Sequence, residues 1–212
     1  MYKVDSIIFD LDGTLWDSTD GIVKTWGLVL SRNPDVDKVV TEEDLSANFG
    51  LPVERIAANM FPQLPKERQL SLMDDCCRAE NIYLAQHGGT LFPDEMDVLE
   101  KLSAAFPLFV VSNCQTGYIE SFYEGNKTAR FFKDQECIGN TGLSKGENIR
   151  LVMQRNNLQC PVYVGDTQGD ADAAALADIP FVYAAYGFGS VDHYDWKLDS
   201  IADLLKFIKN RE

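Results

Sequence analysis

Positive charge is scarce in this chain of 212 residues, where 19 Lys and Arg stand against 33 Asp and Glu for a formal net charge of −14. That balance excludes a general affinity for nucleic acid or an anionic membrane surface, both of which attract basic faces. An anionic ligand would need local positive charge at its own site. Long apolar runs are also missing, and the longest are too short to span a bilayer. Near the start Lys3 is followed at once by Asp5 and a short strand-like run, so no secretory leader fits. The five cysteines, Cys76, Cys77, Cys114, Cys137 and Cys160, are odd in number and form no Cys-x-x-Cys pair. A reduced, cytoplasmic setting is the simplest account. The two histidines, His87 and His193, lack metal-ligand spacing and read as surface or helix-end residues. There is no internal repeat and no low-complexity tract. What remains is 45% hydrophobic and 25% charged, an ordinary globular composition with length for one core domain carrying an inserted lobe.

Against that background one stretch stands out. Ile7-Ile8-Phe9-Asp10-Leu11-Asp12-Gly13-Thr14 runs from an apolar, β-forming segment straight into two carboxylates and a glycine. Alone it reads equally well as a strand followed by an Asp-Gly turn. A second stretch, Val162-Tyr163-Val164-Gly165-Asp166-Thr167-Gln168-Gly169-Asp170, repeats the pattern. If the two are parallel neighbours, Asp10, Asp12, Asp166 and Asp170 meet at the sheet edge where α/β folds bind ligands. Unit charges about 4 Å apart repel by roughly 4 kcal/mol at an effective dielectric near 20. Such a cluster calls for a cation, and hard oxygen donors in a partly wet site favour Mg²⁺.

Between these strands the periodicity divides the chain. Ile22, Val23, Trp26, Val29 and Leu30 share a helical face behind Asp17 or Ser18 as cap. Thr41 to Asp44 resembles a capping box, Phe49-Gly50-Leu51-Pro52 a turn with Pro52 opening the next helix, and 66–86 a longer helix stopped by Gly88-Gly89. From Thr90 onward helices alternate with continuous apolar strands at 108–111, near 137–138, at 162–164 and at 181–184, the last strand expected, before a closing helix over 200–209. That alternation predicts a parallel sheet covered on both faces. The expected architecture is therefore α/β: a Rossmann-like three-layer core formed by 1–18 and 88–212, with an α-helical insertion at 19–87.

Four elements stand in order: Asp10-x-Asp12-Gly13-Thr14, Ser112-Asn113 after a strand, Lys145 opening a helix, and Gly165-Asp166-x-x-x-Asp170. Together they resemble the haloacid dehalogenase superfamily of aspartate-nucleophile phosphotransferases, over the whole chain, with the helical insertion where that family carries its cap. The finer likeness, through 10–18 and the turn 49–52, is to phosphoglycolate-phosphatase-type members. The resemblance implies that Asp10 is a nucleophile forming an aspartyl-phosphate and that Asp12 is the acid and then the base. It further implies that Ser112 and the amide of Asn113 bind the phosphoryl group, and that Lys145 neutralises its charge. Asp10, the carbonyl of Asp12 and Asp166 would hold Mg²⁺, with Asp170 acting through water or orienting these ligands; from the residues alone Asp170 also reads as an N-terminal helix cap. Phe49, Gly50, Leu51 and Pro52 would face the substrate, a small phosphorylated metabolite. Two departures concern the substrate: no proline follows Lys145, and Cys114 stands where phosphoglycolate-type members often carry lysine.

The resemblance also supplies rivals. A β-phosphoglucomutase-type phosphomutase shares the core, but Phe49 occupies the place where those enzymes commonly have lysine. A dehalogenase proper lacks the counterpart of Asp12. A non-catalytic binding protein on the same fold would usually have lost a catalytic group, and none is missing. From the residues alone, Cys114 fails as a phosphatase thiolate because Glu120 stands where the phosphate-gripping arginine belongs. The stretch from Asp10 fails as a calcium loop because Gly21 occupies its twelfth position. Neither Gly125-Asn126-Lys127-Thr128 nor the region of Lys145 has P-loop spacing, and Gly187-Phe188-Gly189 reads as a turn at the site rim.

Overall fold

In the computed structural model, which describes residues 3–209, the chain opens with β1 (Ser6–Phe9) and then turns fully helical. α1 (Thr19–Leu30), α2 (Glu42–Ser46), α3 (Val53–Met60) and α4 (Lys66–His87) follow before any further strand. α5 (Glu95–Ala105), β2 (Leu108–Ser112), α6 (Tyr118–Asn126) and β3 (Phe132–Cys137) lead on to the short α7 (Ile138–Thr141). α8 (Lys145–Asn156), β4 (Pro161–Gly165), α9 (Gln168–Ala177), β5 (Phe181–Ala184), β6 (Trp196–Leu198) and α10 (Asp203–Lys209) complete it.

The six strands form one parallel sheet in the order β3-β2-β1-β4-β5-β6. Alternation along each strand splits the apolar side chains between two covers. Ile7, Phe9, Val110, Val162 and Val164 join a cluster with Leu99 and Leu102 of α5 and Leu204 of α10. Ile8, Phe109, Val111 and Tyr163 face Ile149 and Val152 of α8 and Ala173 and Ala174 of α9. Both faces are thus dry, which is why these strands read as unbroken apolar runs rather than alternating ones. The connections leave β1 toward β2 on one side and reach β4 on the other, so the order reverses beside β1, where open α/β sheets carry their ligand crevice.

Where the helical segment leaves and rejoins the sheet, the two chain passages are joined. Asp17 and Thr90 form an isolated antiparallel bridge, with N–H···O distances of 2.7 and 2.8 Å. The Asn126 amide grips Gly89, the residue before Thr90, at both its N–H and its carbonyl.

Several expectations are corrected. β6 was not anticipated, because a three-residue strand with a charged centre, Trp196-Lys197-Leu198, has no periodicity to show. Pro52 is the N-cap of α3 rather than its first helical residue. α6 begins only at Tyr118, because Gly117 before it adopts a left-handed φ of 88°. β3 lies almost wholly before Cys137, and Ile138 already belongs to a helix. Among the described residues no helix is long and apolar enough to cross a membrane.

Candidate active site

Register places the acids. Phe9 pairs with Val164, so Asp10 and Asp166 emerge from the same end of adjacent central strands, and the Asp10 amide donates to the Val164 carbonyl at 2.8 Å. Gly13 follows at φ 73°, a conformation open to glycine, and a Cβ there would collide with the Asp166 carboxylate. The turn lets the chain fold back over the site without displacing Asp166.

Lys145, the first residue of α8, is not a solvated helix-end lysine. It is 4% exposed, and its Nζ donates to Asp10 Oδ1 at 2.9 Å and to Asp170 Oδ1 at 2.6 Å. Asp170 serves α9 as well, its Oδ2 accepting the amide and hydroxyl of Thr167 in a capping box. Thr167, not Asp170, is the N-cap. Asp166 Oδ2 accepts the amides of Phe188 and Gly189 at 2.8 and 3.2 Å, while its Oδ1 is buried with no partner. Oxygens of Asp10, Asp166 and Asp170 all lie within 4.8 Å of one another.

The electrostatics follow from three buried acids around one ammonium. Burial, with the charges of Asp170 and Asp166, pushes Asp10 up to about 8 against the opposing pull of Lys145. Burial and Asp170 raise Asp166 to about 7. Burial works against the ammonium of Lys145, but Asp10 and Asp170 outweigh it and hold the group above its ordinary range. A divalent cation fits here. One buried carboxylate oxygen lacks a partner, the donors are all hard oxygens, and one lysine leaves the cluster net negative.

Asp12 is turned to a different set of partners. Its Oδ1 accepts Trp16 Nε1 at 2.9 Å, Ser18 Oγ at 2.8 Å and Tyr118 OH at 2.8 Å. Ser18 therefore supports Asp12, and the start of α1 is held by Asp17, whose carboxylate accepts the Thr19 amide. Burial raises Asp12 to about 6 against the lowering effect of these three donors. Trp16 and Tyr118 were not singled out beforehand. Trp16 lies four positions after Asp12, across the turn that follows β1, and nothing local marks Tyr118.

Over these acids lies a cavity of about 60 Å³, lined by Asp10, Asp12 and Ser112 from the sheet side and by residues of α1, α3 and α4. Ser112 sits buried at the end of β2. Asn113 points its side chain at the helical segment, donating to the Gly50 carbonyl at 2.8 Å. Phe49, Gly50 and Leu51 line the cavity, and Pro52 borders a neighbouring, wider one of about 840 Å³. Glu80 of α4, which was not anticipated, is 3% exposed and also lines the inner cavity. Burial lifts its carboxyl to about 8. Its Oε2 accepts Trp26 Nε1 and its Oε1 accepts Gln115 Nε2 at 2.5 Å. The signal was present in the helical spacing, because Glu80 falls on the stripe Met73, Cys77, Leu84.

Comparison with known proteins agrees with this geometry. A model of the family described as haloacid dehalogenase-like hydrolase matches residues 7–184. The phosphoglycolate phosphatase of Escherichia coli (strain K12) is 26% identical over 95% of this chain and 91% of its own length. The phosphoglycolate phosphatase of Salmonella typhimurium is likewise 26% identical, over 97% and 92%. Among solved structures, a predicted phosphoglycolate phosphatase from Haemophilus somnus superposes with a TM-score of 0.83 at 22% identity, over 98% of this chain and 99% of that one. With a parallel sheet that delivers Asp10 and Asp166 side by side, a lysine bridging the acids and a family match running from β1 through β5, the chain belongs to the haloacid dehalogenase-like hydrolases.

Proposed function

We propose that this chain is a cytoplasmic, Mg²⁺-dependent phosphatase of the phosphoglycolate-phosphatase type that hydrolyses a small phosphate monoester through an aspartyl-phosphate on Asp10. The observation that carries the reading is the buried constellation of Asp10, Asp166 and Asp170 around Lys145, at the end of the central strands. Asp10, the carbonyl of Asp12, Asp166 and Asp170 would hold the ion. When bound, Mg²⁺ would offset the charge of these carboxylates and of the phosphoryl oxygens.

In the first step an Asp10 carboxylate oxygen attacks phosphorus, the bond to the leaving oxygen breaks, and Asp12 hands that oxygen a proton. In the second step water attacks the phosphorus, Asp12 takes the water's proton, and the bond to Asp10 breaks to release inorganic phosphate. A carboxyl raised to about 6 can hold or release a proton near neutrality, as both halves require. With Asp12 Oδ1 engaged by three donors, Oδ2 is left for this transfer. Ser112 and the Asn113 amide would bind phosphoryl oxygens, and Lys145 would balance the charge that builds on them.

Residues 19–87 would act as a cap over a core of 1–18 and 88–212, with Phe49, Gly50 and Leu51 facing the substrate and Pro52 bordering its approach. The bridged passage at Asp17 and Thr90 supports that division. A cap of this kind excludes water and selects the substrate. The small inner cavity and the absence of a lysine at Phe49 favour hydrolysis over transfer to a sugar.

Purified protein should release phosphate from a generic aryl phosphate when Mg²⁺ is added and not after chelation, and Asp10→Asn should abolish turnover with an unchanged circular dichroism spectrum. Full activity in that variant would overturn the assignment of the nucleophile.

A further inference from the structure

The inner cavity is an apolar chamber with an acid set in its wall. Ile22 and Trp26 of α1, Met73 and Cys77 of α4, and Phe49 and Leu51 of the turn before α3 surround Glu80. None of the described residues lining it is a lysine, arginine or histidine, and its only formally charged groups are the carboxyls of Asp10, Asp12 and Glu80. Lys145 lies outside that lining, committed to Asp10 and Asp170. Glu80 makes no ion pair among the described residues. Its two hydrogen bonds, from the Trp26 indole and the Gln115 amide, come from neutral groups and leave part of its accepting capacity free in the ionised form that a neighbouring ammonium would hold, which offers about four lone-pair sites.

A buried carboxyl without a cationic partner is costly, and polar groups in an otherwise apolar pocket are what fix a ligand's orientation. A leaving group bearing its own carboxylate would bring an anion beside the acids Asp12 and Glu80, in a lining that holds no cationic side chain. A purely apolar leaving group would fill the walls and leave Glu80 unpaired. An ammonium supplies the absent charge and three donors at once. Size narrows the class further: about 60 Å³ is room for roughly four to six water molecules, or a leaving group of a few non-hydrogen atoms.

Resting on the phosphatase reading above, we propose that the substrate is a small aminoalkyl phosphate and that Glu80 is the residue that selects it, by receiving the ammonium of the leaving group. Trp26 and Gln115 act as positioning residues. They fix the carboxylate from α1 and from the loop after β2, so that its free lone pairs are presented to the cavity.

The test uses the full chain with Mg²⁺ and four monoesters of nearly equal length: aminoethyl, hydroxyethyl and propyl phosphate, and phosphoglycolate. A charge-assisted hydrogen bond should set aminoethyl above propyl phosphate in kcat/KM by about 10-fold or more, with phosphoglycolate lowest. In Glu80→Gln the ratio of aminoethyl to propyl phosphate should fall to within about 3-fold of unity. The proposal is overturned if wild type prefers phosphoglycolate, if it handles aminoethyl no better than propyl phosphate, or if a folded Glu80→Gln keeps the wild-type ratio. Should Glu80→Gln fail to fold, the wild-type ranking decides. An aryl phosphate run in parallel separates the two readings. If that ester and all four monoesters are inert with Mg²⁺, it is the phosphatase reading that fails. Calorimetric binding of aminopropylphosphonate against butylphosphonate then decides the role of Glu80, and equal affinity would reject it.

Discussion

Phe49, in the turn that enters α3, stacks on Phe188, in the loop after β5, with ring centroids 4.8 Å apart and planes 25° from parallel. The same Phe188 donates its amide to Asp166 Oδ2. The helical segment therefore rests on the loop that orients one of the central acids. An aromatic pair is worth about 0.5–1.5 kcal/mol beyond the area it buries. Phe49→Ala should lower kcat/KM on an aryl phosphate by about 10-fold, chiefly through KM, and a double-mutant cycle with Phe188→Ala should return a coupling of about 1 kcal/mol. Additive effects would mean that the stack does not hold the two segments together.

Removing Lys145 should cost far more than removing a surface lysine. Stranding buried carboxylates by deleting their partner destabilises a protein by about 3–5 kcal/mol, and Lys145→Ala leaves both Asp10 and Asp170 facing each other without it. Urea unfolding at neutral pH should show a loss of that order. Adding Asp170→Asn should recover part of it, because one stranded charge is gone. A double variant no more stable than Lys145→Ala would show that the bridge matters little to the fold.

Mg²⁺ should stabilise the folded chain. A ligand at about 100 times its dissociation constant adds about 2.7 kcal/mol, so the melting temperature of wild type should climb with Mg²⁺ concentration. Asp166→Asn alters the carboxylate whose Oδ1 is buried without a partner, and it should flatten that climb. An equal response in both proteins would place the ion elsewhere.

How much of this was legible in the sequence depended on whether a signal was local. The strand that ends at Phe9 and the one that ends at Gly165 announced themselves as apolar runs, because both faces of the sheet are covered. Their adjacency followed from topology, and the acids came with it. The burial of Lys145 was not legible locally: a lysine opening a helix looks solvated unless one knows that Asp10 and Asp170 converge on it from 135 and 25 positions away. Tyr118 reaches Asp12 across 106 positions and was invisible for the same reason. Glu80 was legible in principle, as an acid on an apolar stripe, but only to a reading that asks why a charge interrupts a buried face. β6 was beyond reach because it is shorter than any period.

A buried acid away from the site predicts how stability varies with pH. Glu95, in the first turn of α5, is 1% exposed; its Oε2 accepts the Phe92 amide at 3.1 Å and its Oε1 has no partner. Burial pushes its carboxyl up to about 9, against the lowering effect of the Phe92 amide. Because the folded group holds its proton more tightly than the unfolded one, folding takes up a proton between the two values. The penalty is absent below the unfolded pKa and grows as pH rises toward about 9, by at most about 1.4 kcal/mol per pH unit. Glu95→Gln should therefore lose less stability than wild type between pH 6 and pH 9 in urea titrations. Parallel declines would show that Glu95 is not the group that titrates.

The doubled passage at Asp17 and Thr90 has a consequence for ancestry. Since the chain departs and returns through neighbouring points, whatever lies between them can be lengthened, shortened or exchanged without asking the sheet to rearrange. The two parts are thereby free to change at separate rates: the acids stay where the strands put them, while the segment between the two passages can be replaced at one doorway.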